Sequence, residues 1–214
     1  MSKRFVSIWF RHLTTDWSTL RHPHLGDIPF VLRAPSHGKM IVTAANAMAY
    51  AQGISNGMSL ADARALVPGL EALDDKPDLA QKLLKRLAEW CIRFTPCVAV
   101  DLPDGLLLDA TGCSHLWGGD ESYLESITRK LDDRGYDVRA AIADTPGVAW
   151  AVARYGKEPL VIAKGKHIDA LLPLPAEALR LEDETAERLH KLGLHRIVQF
   201  IAMPRHSLRR RFLP

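Results

Sequence analysis

The order of strand-like and helix-like apolar segments limits the possible folds of this chain more than any other feature. Residues 5–10 are β-branched and aromatic and predict a buried strand. Residues 79–94 carry apolar side chains at helical spacing with charged side chains between them, which predicts an amphipathic helix. Two apolar runs then flank residues 101–105, where Pro-Asp-Gly is typical of a hairpin turn. A helix at 121–133 and a strand at 137–143 complete the pattern.

This order of elements is the βαββαβ order of the ferredoxin-like split unit. We therefore predict an α+β fold in which a long insertion separates the first strand from the first helix. Within the insertion, a small-residue segment closed by Gly53 and a helix that begins after Ser59 predict a small, mainly helical subdomain. Beyond about Gly165 the pattern becomes helical again.

Composition excludes several classes of protein. The chain has 214 residues, of which 47% are hydrophobic and 25% charged, as in soluble globular proteins. It lacks the run of about 18 apolar residues that a membrane span needs, and its start does not resemble a secretory signal. The three cysteines form no CxxC pair, so we expect reduced thiols and a cytoplasmic protein without membrane contact.

The net charge of +3 permits contact with a polyanion but does not identify one. The arginines of the last ten residues are the main basic cluster. This cluster is either a solvated face or a set of DNA phosphate contacts, and its members are the DNA-binding candidates. They are Arg205, Arg209, Arg210 and Arg211.

Three segments resemble one known family. Residues 42–69, VTAANAMAYAQGISNGMSLADARALVPG, resemble the fingers segment of the Y-family translesion DNA polymerases. Residues 104–112, DGLLLDATG, are similar to the palm hairpin of the ImuB branch of that family, and residues 192–212 are similar to its thumb. The resemblance implies a palm, a fingers subdomain and a partial helical thumb, with the little finger absent. Its implied boundaries are 1–10 and 76–166 for the palm, 11–75 for the fingers and 167–214 for the thumb.

The same resemblance implies that the metal-binding carboxylates of an active polymerase are missing. Such an enzyme uses two divalent metal ions held by carboxylates. The acidic positions of the family's first strand fall on Trp9 and Arg11, and its hairpin pair falls on Asp104 and Gly105, so one carboxylate remains. A guanidinium at position 11 would repel Mg²⁺. The resemblance therefore implies no catalytic residue, no metal site and no cofactor.

The nucleotide-contacting positions also differ from the family pattern. The tyrosine and arginine of its fingers helix fall on Ala47 and Tyr50, and its aromatic steric gate falls on Thr14. Lys157 alone occupies the place of a triphosphate-contacting lysine. In the thumb, acidic residues 182–184 replace a phosphate-binding turn, so the resemblance implies weak DNA binding.

What the resemblance implies for function is a non-catalytic adaptor in DNA-damage-induced mutagenesis and translesion synthesis, in the bacterial cytosol or nucleoid. Its implied partners are a RecA-like accessory protein, an error-prone C-family DNA polymerase and the sliding clamp. We expect the clamp-binding segment beyond Pro214, because the nearest clamp-like string, residues 199–203, fits the buried face of a thumb helix better.

Two alternatives remain open from the residues. The first is an active polymerase whose metal ligands are rearranged to Asp101, Asp104 and Asp109. Residues an odd number apart on a continuous strand face opposite sides, which separates Asp104 from Asp109. The second is a simple DNA-binding module that uses the terminal arginines.

Overall fold

The first of two β-sheets contains the four strands of the predicted split unit. The computed structural model describes residues 3–158 and 160–204. The sheet is antiparallel, with strand order β5-β6-β1-β7. Its strands are β1 (Phe5–Phe10), β5 (Val98–Asp101), β6 (Gly105–Asp109) and β7 (Val138–Ala143). This order confirms the predicted α+β ferredoxin-like arrangement, since β1 lies between the hairpin and the last strand.

The two faces of this sheet pack against different helices. Helices α4 (Leu79–Cys91) and α5 (Asp120–Asp132) cover one face, and Ile8 and Ile142 belong to that core. Helix α6 (Pro146–Tyr155) covers the other, where Ala141 and Ala143 pack against it. Because side chains alternate along a strand, Trp9 shares the α6 face while its neighbours Ile8 and Phe10 are buried beneath α4 and α5.

The second sheet lies in the insertion and corrects the prediction of a mainly helical subdomain. Its strand order is β3-β2-β4, with β2 and β3 antiparallel and β2 and β4 parallel. The strands are β2 (Phe30–Ser36), β3 (Lys39–Ala45) and β4 (Glu71–Asp74). Strand β4 has the sequence Glu-Ala-Leu-Asp, which carries little strand propensity, and it forms because β2 offers it a backbone edge.

Three helices accompany the second sheet. They are α1 (Leu13–Arg21), α2 (Ala47–Ala51) and α3 (Leu60–Leu66). Ser59 caps α3 as predicted, because its hydroxyl accepts a hydrogen bond from the Asp62 amide at 3.1 Å. Asn46 caps α2, and its side-chain oxygen also accepts from the Phe30 amide at 3.2 Å. Asn46 thereby fixes the start of α2 against β2.

The C-terminal segment packs on α6 rather than on the sheet. Helices α7 (His167–Leu171) and α8 (Asp183–Lys191) follow α6, with a 3₁₀ helix at Ala176–Leu179 between them. Leu174, Leu189 and Ile197 share one buried cluster with Val152 of α6. Among the described helices, none combines the length and apolar character needed to cross a bilayer.

Candidate functional site

A cleft of about 740 Å³ lies between the two sheets and is lined by five of the twelve residues that the sequence singled out for a site. It is bounded by the end of β1, the end of β3, the start of α4 and the turn between β5 and β6. The predicted site residues that line it are Trp9, Arg11, Thr14, Tyr50 and Asp104. The structure therefore brings these five residues together, and their assignment to a site, which rests on the resemblance, stays a prediction.

The carboxylate of Asp104 has both of its oxygens engaged. Trp9 donates from its indole Nε1 to Oδ2 at 3.0 Å, and Arg154 of α6 donates from Nη2 to Oδ1 at 2.5 Å. The turn that carries Asp104 is held to β1 by a hydrogen bond from the Phe10 amide to the Asp104 carbonyl oxygen at 2.9 Å. The Arg154 side chain is only 9% exposed and that of Asp104 is 34% exposed, so the ion pair is desolvated mainly on its guanidinium side.

Gly105 leaves the space that this guanidinium needs. A Cβ atom at position 105 would lie 3.1 Å from Nη2 of Arg154 and 3.2 Å from the carbonyl oxygens of Ile8 and Asp101. Gly105 does not have a positive φ, so its backbone conformation does not require glycine. The small size of Gly105 is therefore what matters, because any larger side chain would press on the Arg154 guanidinium.

A second carboxylate, Asp101, is paired with two arginines. Asp101 is 8% exposed, and its Oδ1 accepts a hydrogen bond from Nη2 of Arg180 at 2.7 Å. Its Oδ2 lies 3.8 Å from Nη2 of Arg154. The guanidinium carbons of Arg154 and Arg180 lie 4.4 and 4.7 Å from the centroid of the Trp150 ring. Two carboxylates and two guanidinium groups thus form one charge-balanced cluster, called here the arginine–aspartate cluster.

This cluster does not fit the pair of divalent metal ions that the resemblance implies for an active polymerase. Such ions take oxygen ligands from several carboxylates and sit about 4 Å apart. Here a guanidinium already lies at hydrogen-bonding distance from Asp104, and β1 contributes an indole in place of an acid. Asp109 lies at the opposite end of β6, where its side chain accepts from the Thr111 amide. Within residues 3–158 and 160–204, no three His, Cys, Asp or Glu residues are placed to hold a metal.

Arg11 is turned toward a different carboxylate. Its guanidinium pairs with Asp137, and Nε donates to Oδ1 of that residue at 3.0 Å. His12 Nδ1 lies 2.9 Å from the Ala45 carbonyl oxygen, and since a carbonyl oxygen can only accept, Nδ1 is the donor. This hydrogen bond links the segment after β1 to the end of β3. Asp16 accepts from the Asp137 amide at 2.9 Å. Burial is the main cause that raises the pKa of Asp16 to about 7, and the neighbouring Asp137 carboxylate adds to it.

The predicted nucleotide-contacting and DNA-binding residues do not gather at one place. Ala47 and Lys157 are exposed and do not line it. Tyr50 does line it and is 66% exposed, with its ring centroid 6.1 Å from that of His12. The DNA-binding candidates Arg205, Arg209, Arg210 and Arg211 lie outside the described residues.

Sequence reasoning missed the three residues that complete the cluster, namely Arg154, Arg180 and Trp150. Trp150 and Arg154 are four positions apart on α6, a spacing that places them on one helix face and could have suggested a stacked pair. Arg180 follows a 3₁₀ helix with a positive φ of 56°. No local pattern around Arg180 predicts its contact with Asp101, which lies 79 residues earlier.

Comparison with known proteins agrees with the resemblance predicted from the sequence. "Protein ImuB" of Caulobacter vibrioides is 46% identical over 160 residues, covering 75% of this chain and 35% of that protein. "DNA polymerase IV" of Pectobacterium atrosepticum is 28% identical over 178 residues, covering 81% of this chain and 51% of the relative. The chain thus spans between a third and about half of the length of these relatives.

Solved structures show the same fold. The insertion ternary complex of Dbh DNA polymerase superimposes with a TM-score of 0.81 at 18% identity, covering 97% of this chain and 63% of that one. DinB from Sulfolobus solfataricus gives a TM-score of 0.78 at 19% identity over the same share of this chain and 62% of its own. The model of the impB/mucB/samB family matches residues 8–154, well over half of the sequence. By that match, the chain belongs to the impB/mucB/samB family.

Proposed function

We propose that this chain is the palm, fingers and partial thumb of a non-catalytic, polymerase-like adaptor in DNA-damage-induced mutagenesis and translesion synthesis. The single observation that carries the proposal is the Arg154 guanidinium, which contacts Asp104 at 2.5 Å beside the space left by Gly105. In this proposal Arg154 supplies the positive charge that metal ions supply in an active polymerase.

Electrostatics supports the absence of chemistry at this cleft. A divalent cation near Asp104 would be repelled by the adjacent guanidinium, and the low exposure of Arg154 weakens solvent screening of that repulsion. The same contacts leave Asp104 a structural role as an acceptor for Trp9 and Arg154. The residues thus favour a palm that keeps its shape without binding metal.

The adaptor role draws on the relatives. The proposed partners are those that the resemblance implies, namely a RecA-like accessory protein, an error-prone C-family polymerase and the sliding clamp, and the match to the relative named ImuB supports that resemblance. Within the described thumb, Phe200 is 9% exposed and Gln199 accepts hydrogen bonds from the amides of His195 and Arg196. Gln199 and Phe200 are therefore engaged in the fold, but Ile201 is 52% exposed and residues 201–203 form a turn, which corrects the prediction that the whole string is the buried face of a thumb helix. The site of clamp binding stays a prediction.

Primer extension on the full-length protein tests the proposal. We expect no template-dependent incorporation with Mg²⁺ or Mn²⁺, and we expect Asp104→Asn, which keeps an acceptor oxygen for Trp9, to leave damage-induced mutagenesis in cells unchanged. The positive control for both assays is an active Y-family polymerase in which the carboxylate that matches Asp104 is replaced. Incorporation by this protein that disappears in Asp104→Ala would show that it is an enzyme and would refute the proposal.

A further inference from the structure

The exposed face of α4 is a basic surface on the side of the sheet opposite α6 and the arginine–aspartate cluster. Its cations recur at helical spacing over roughly 16 Å of helix, and Glu89 is the only acid among them. They are Lys82, Lys85 and Arg86 on α4 and Arg93, two residues past its end. Within the described part of the chain, none of the four lies within ion-pair distance of a carboxylate. Their charge is therefore not used in ion pairs within the described part of the fold.

At the C-terminal end of α4 this surface contains a tryptophan between two guanidinium groups. The guanidinium carbons of Arg93 and Arg134 each lie 4.4 Å from the centroid of the Trp90 ring. Arg93 also donates from Nε to the Trp90 carbonyl oxygen at 2.8 Å. These contacts hold both guanidinium groups in place, although both arginines are exposed residues. Ile92, beside them, is 56% exposed.

We propose that this α4 surface, made of Lys82, Lys85, Arg86, Trp90, Ile92, Arg93 and Arg134, binds an acidic, amphipathic segment of a partner protein. The unpaired cations select negative charge, and guanidinium groups bind carboxylates through two parallel hydrogen bonds. Tryptophan and arginine are also the residues that most often dominate binding energy at protein interfaces. Because stacking already orders both arginines, binding loses less side-chain entropy.

The details favour a protein partner over single-stranded nucleic acid. Two guanidinium groups already cover the Trp90 ring, so the ring is not free to stack on a base, which is the usual source of affinity for single strands. The exposed Ile92 side chain offers an apolar contact that a phosphate backbone cannot use. The α4 surface lies across the sheet from the arginine–aspartate cluster, so this proposal does not depend on whether the cleft is catalytic.

Binding of two probes to the full-length protein tests the proposal. The first probe is a labelled helical peptide with Glu on one face and Leu on the other, and the second is oligodeoxythymidine of similar length. We expect Arg93→Gln/Arg134→Gln to weaken peptide binding about tenfold or more, as expected for hot-spot residues. The matched control is Lys39→Gln/Lys164→Gln, which removes two exposed lysines away from the surface.

The Ile92→Ser variant distinguishes a protein partner from a nucleic-acid partner. We expect it to weaken peptide binding and to leave oligonucleotide binding unchanged, while circular dichroism shows that each variant remains folded. An equal loss of peptide affinity in the test variant and in the control variant would overturn the proposal, since binding would then follow net charge alone. Oligonucleotide binding that is tighter than peptide binding and depends on Arg93 and Arg134 would also overturn it and assign the surface to nucleic acid.

Discussion

Replacing Arg154 by methionine tests whether the arginine–aspartate cluster holds the cleft together. Methionine keeps much of the side-chain volume and removes the charge. Arg154 and Asp101 have side chains only 9% and 8% exposed, so the substitution leaves a carboxylate desolvated with one partner fewer. Breaking a buried pair in this way costs about 3–5 kcal/mol. Because Arg180 still pairs with Asp101 and Trp9 still donates to Asp104, we expect a loss near the lower end of that range.

The measurement is the free energy of unfolding in urea, followed by tryptophan fluorescence, with a surface pair as control. Arg188 and Glu184 form an exposed pair four residues apart on α8, with side chains 47% and 75% exposed. Arg188→Met should therefore cost about 0.5 kcal/mol or less. The double variant Arg154→Met/Asp104→Asn should recover part of the loss, because it removes a carboxylate together with its partner. A cost for Arg154→Met no larger than that of Arg188→Met would refute the reasoning.

Two further predictions concern pH and salt. The raised pKa of Asp16, about 7, means that the folded protein binds this proton more tightly than the unfolded chain. Asp16 therefore contributes stability that is present below about pH 4 and lost as the pH rises toward 7, so the urea midpoint of the wild type should fall relative to that of Asp16→Asn over that window. Replacing Arg205, Arg209, Arg210 and Arg211 with alanine should weaken DNA binding and reduce the slope of log affinity against log salt by about 0.9 for each phosphate that is no longer neutralised. A difference between the wild-type and Asp16→Asn midpoints that does not change with pH, or an unchanged salt slope, would contradict these expectations.

The sequence predicted the four-stranded sheet well because its elements carry strong local signals. Helix α4 has a full apolar face, and the hairpin and β1 are continuous apolar runs with clear boundaries. The insertion was predicted less well, since β4 gains its strand structure from pairing with β2 rather than from its own composition. Helix α1 was missed because its segment is polar overall, and only Leu13, Trp17 and Leu20 mark its spacing.

The candidate site was also predictable only in part. Positions along β1 and the hairpin could be assigned by resemblance, but the contacts that decide their chemistry are long-range. Asp104 meets Arg154 fifty residues later, and Asp101 meets Arg180 across 79 residues. Such contacts depend on how α6 and the C-terminal segment pack, which local patterns do not encode.

The arginine–aspartate cluster also shows why the carboxylate of Asp104 is not by itself evidence of a metal site. Taken alone, Asp104 suggests half of a surviving metal site, yet its two oxygens accept hydrogen bonds from Trp9 and Arg154. Restoring acids by Trp9→Asp and Gly105→Glu would not by itself recreate a metal site. The new side chain at position 105 would meet the Arg154 guanidinium, and the added carboxylates would pair with it. The absence of catalysis that we propose therefore rests on two features of this chain, the non-acidic residues at positions 9 and 105 and the internal cation Arg154, and a metal site would require changing Arg154 as well.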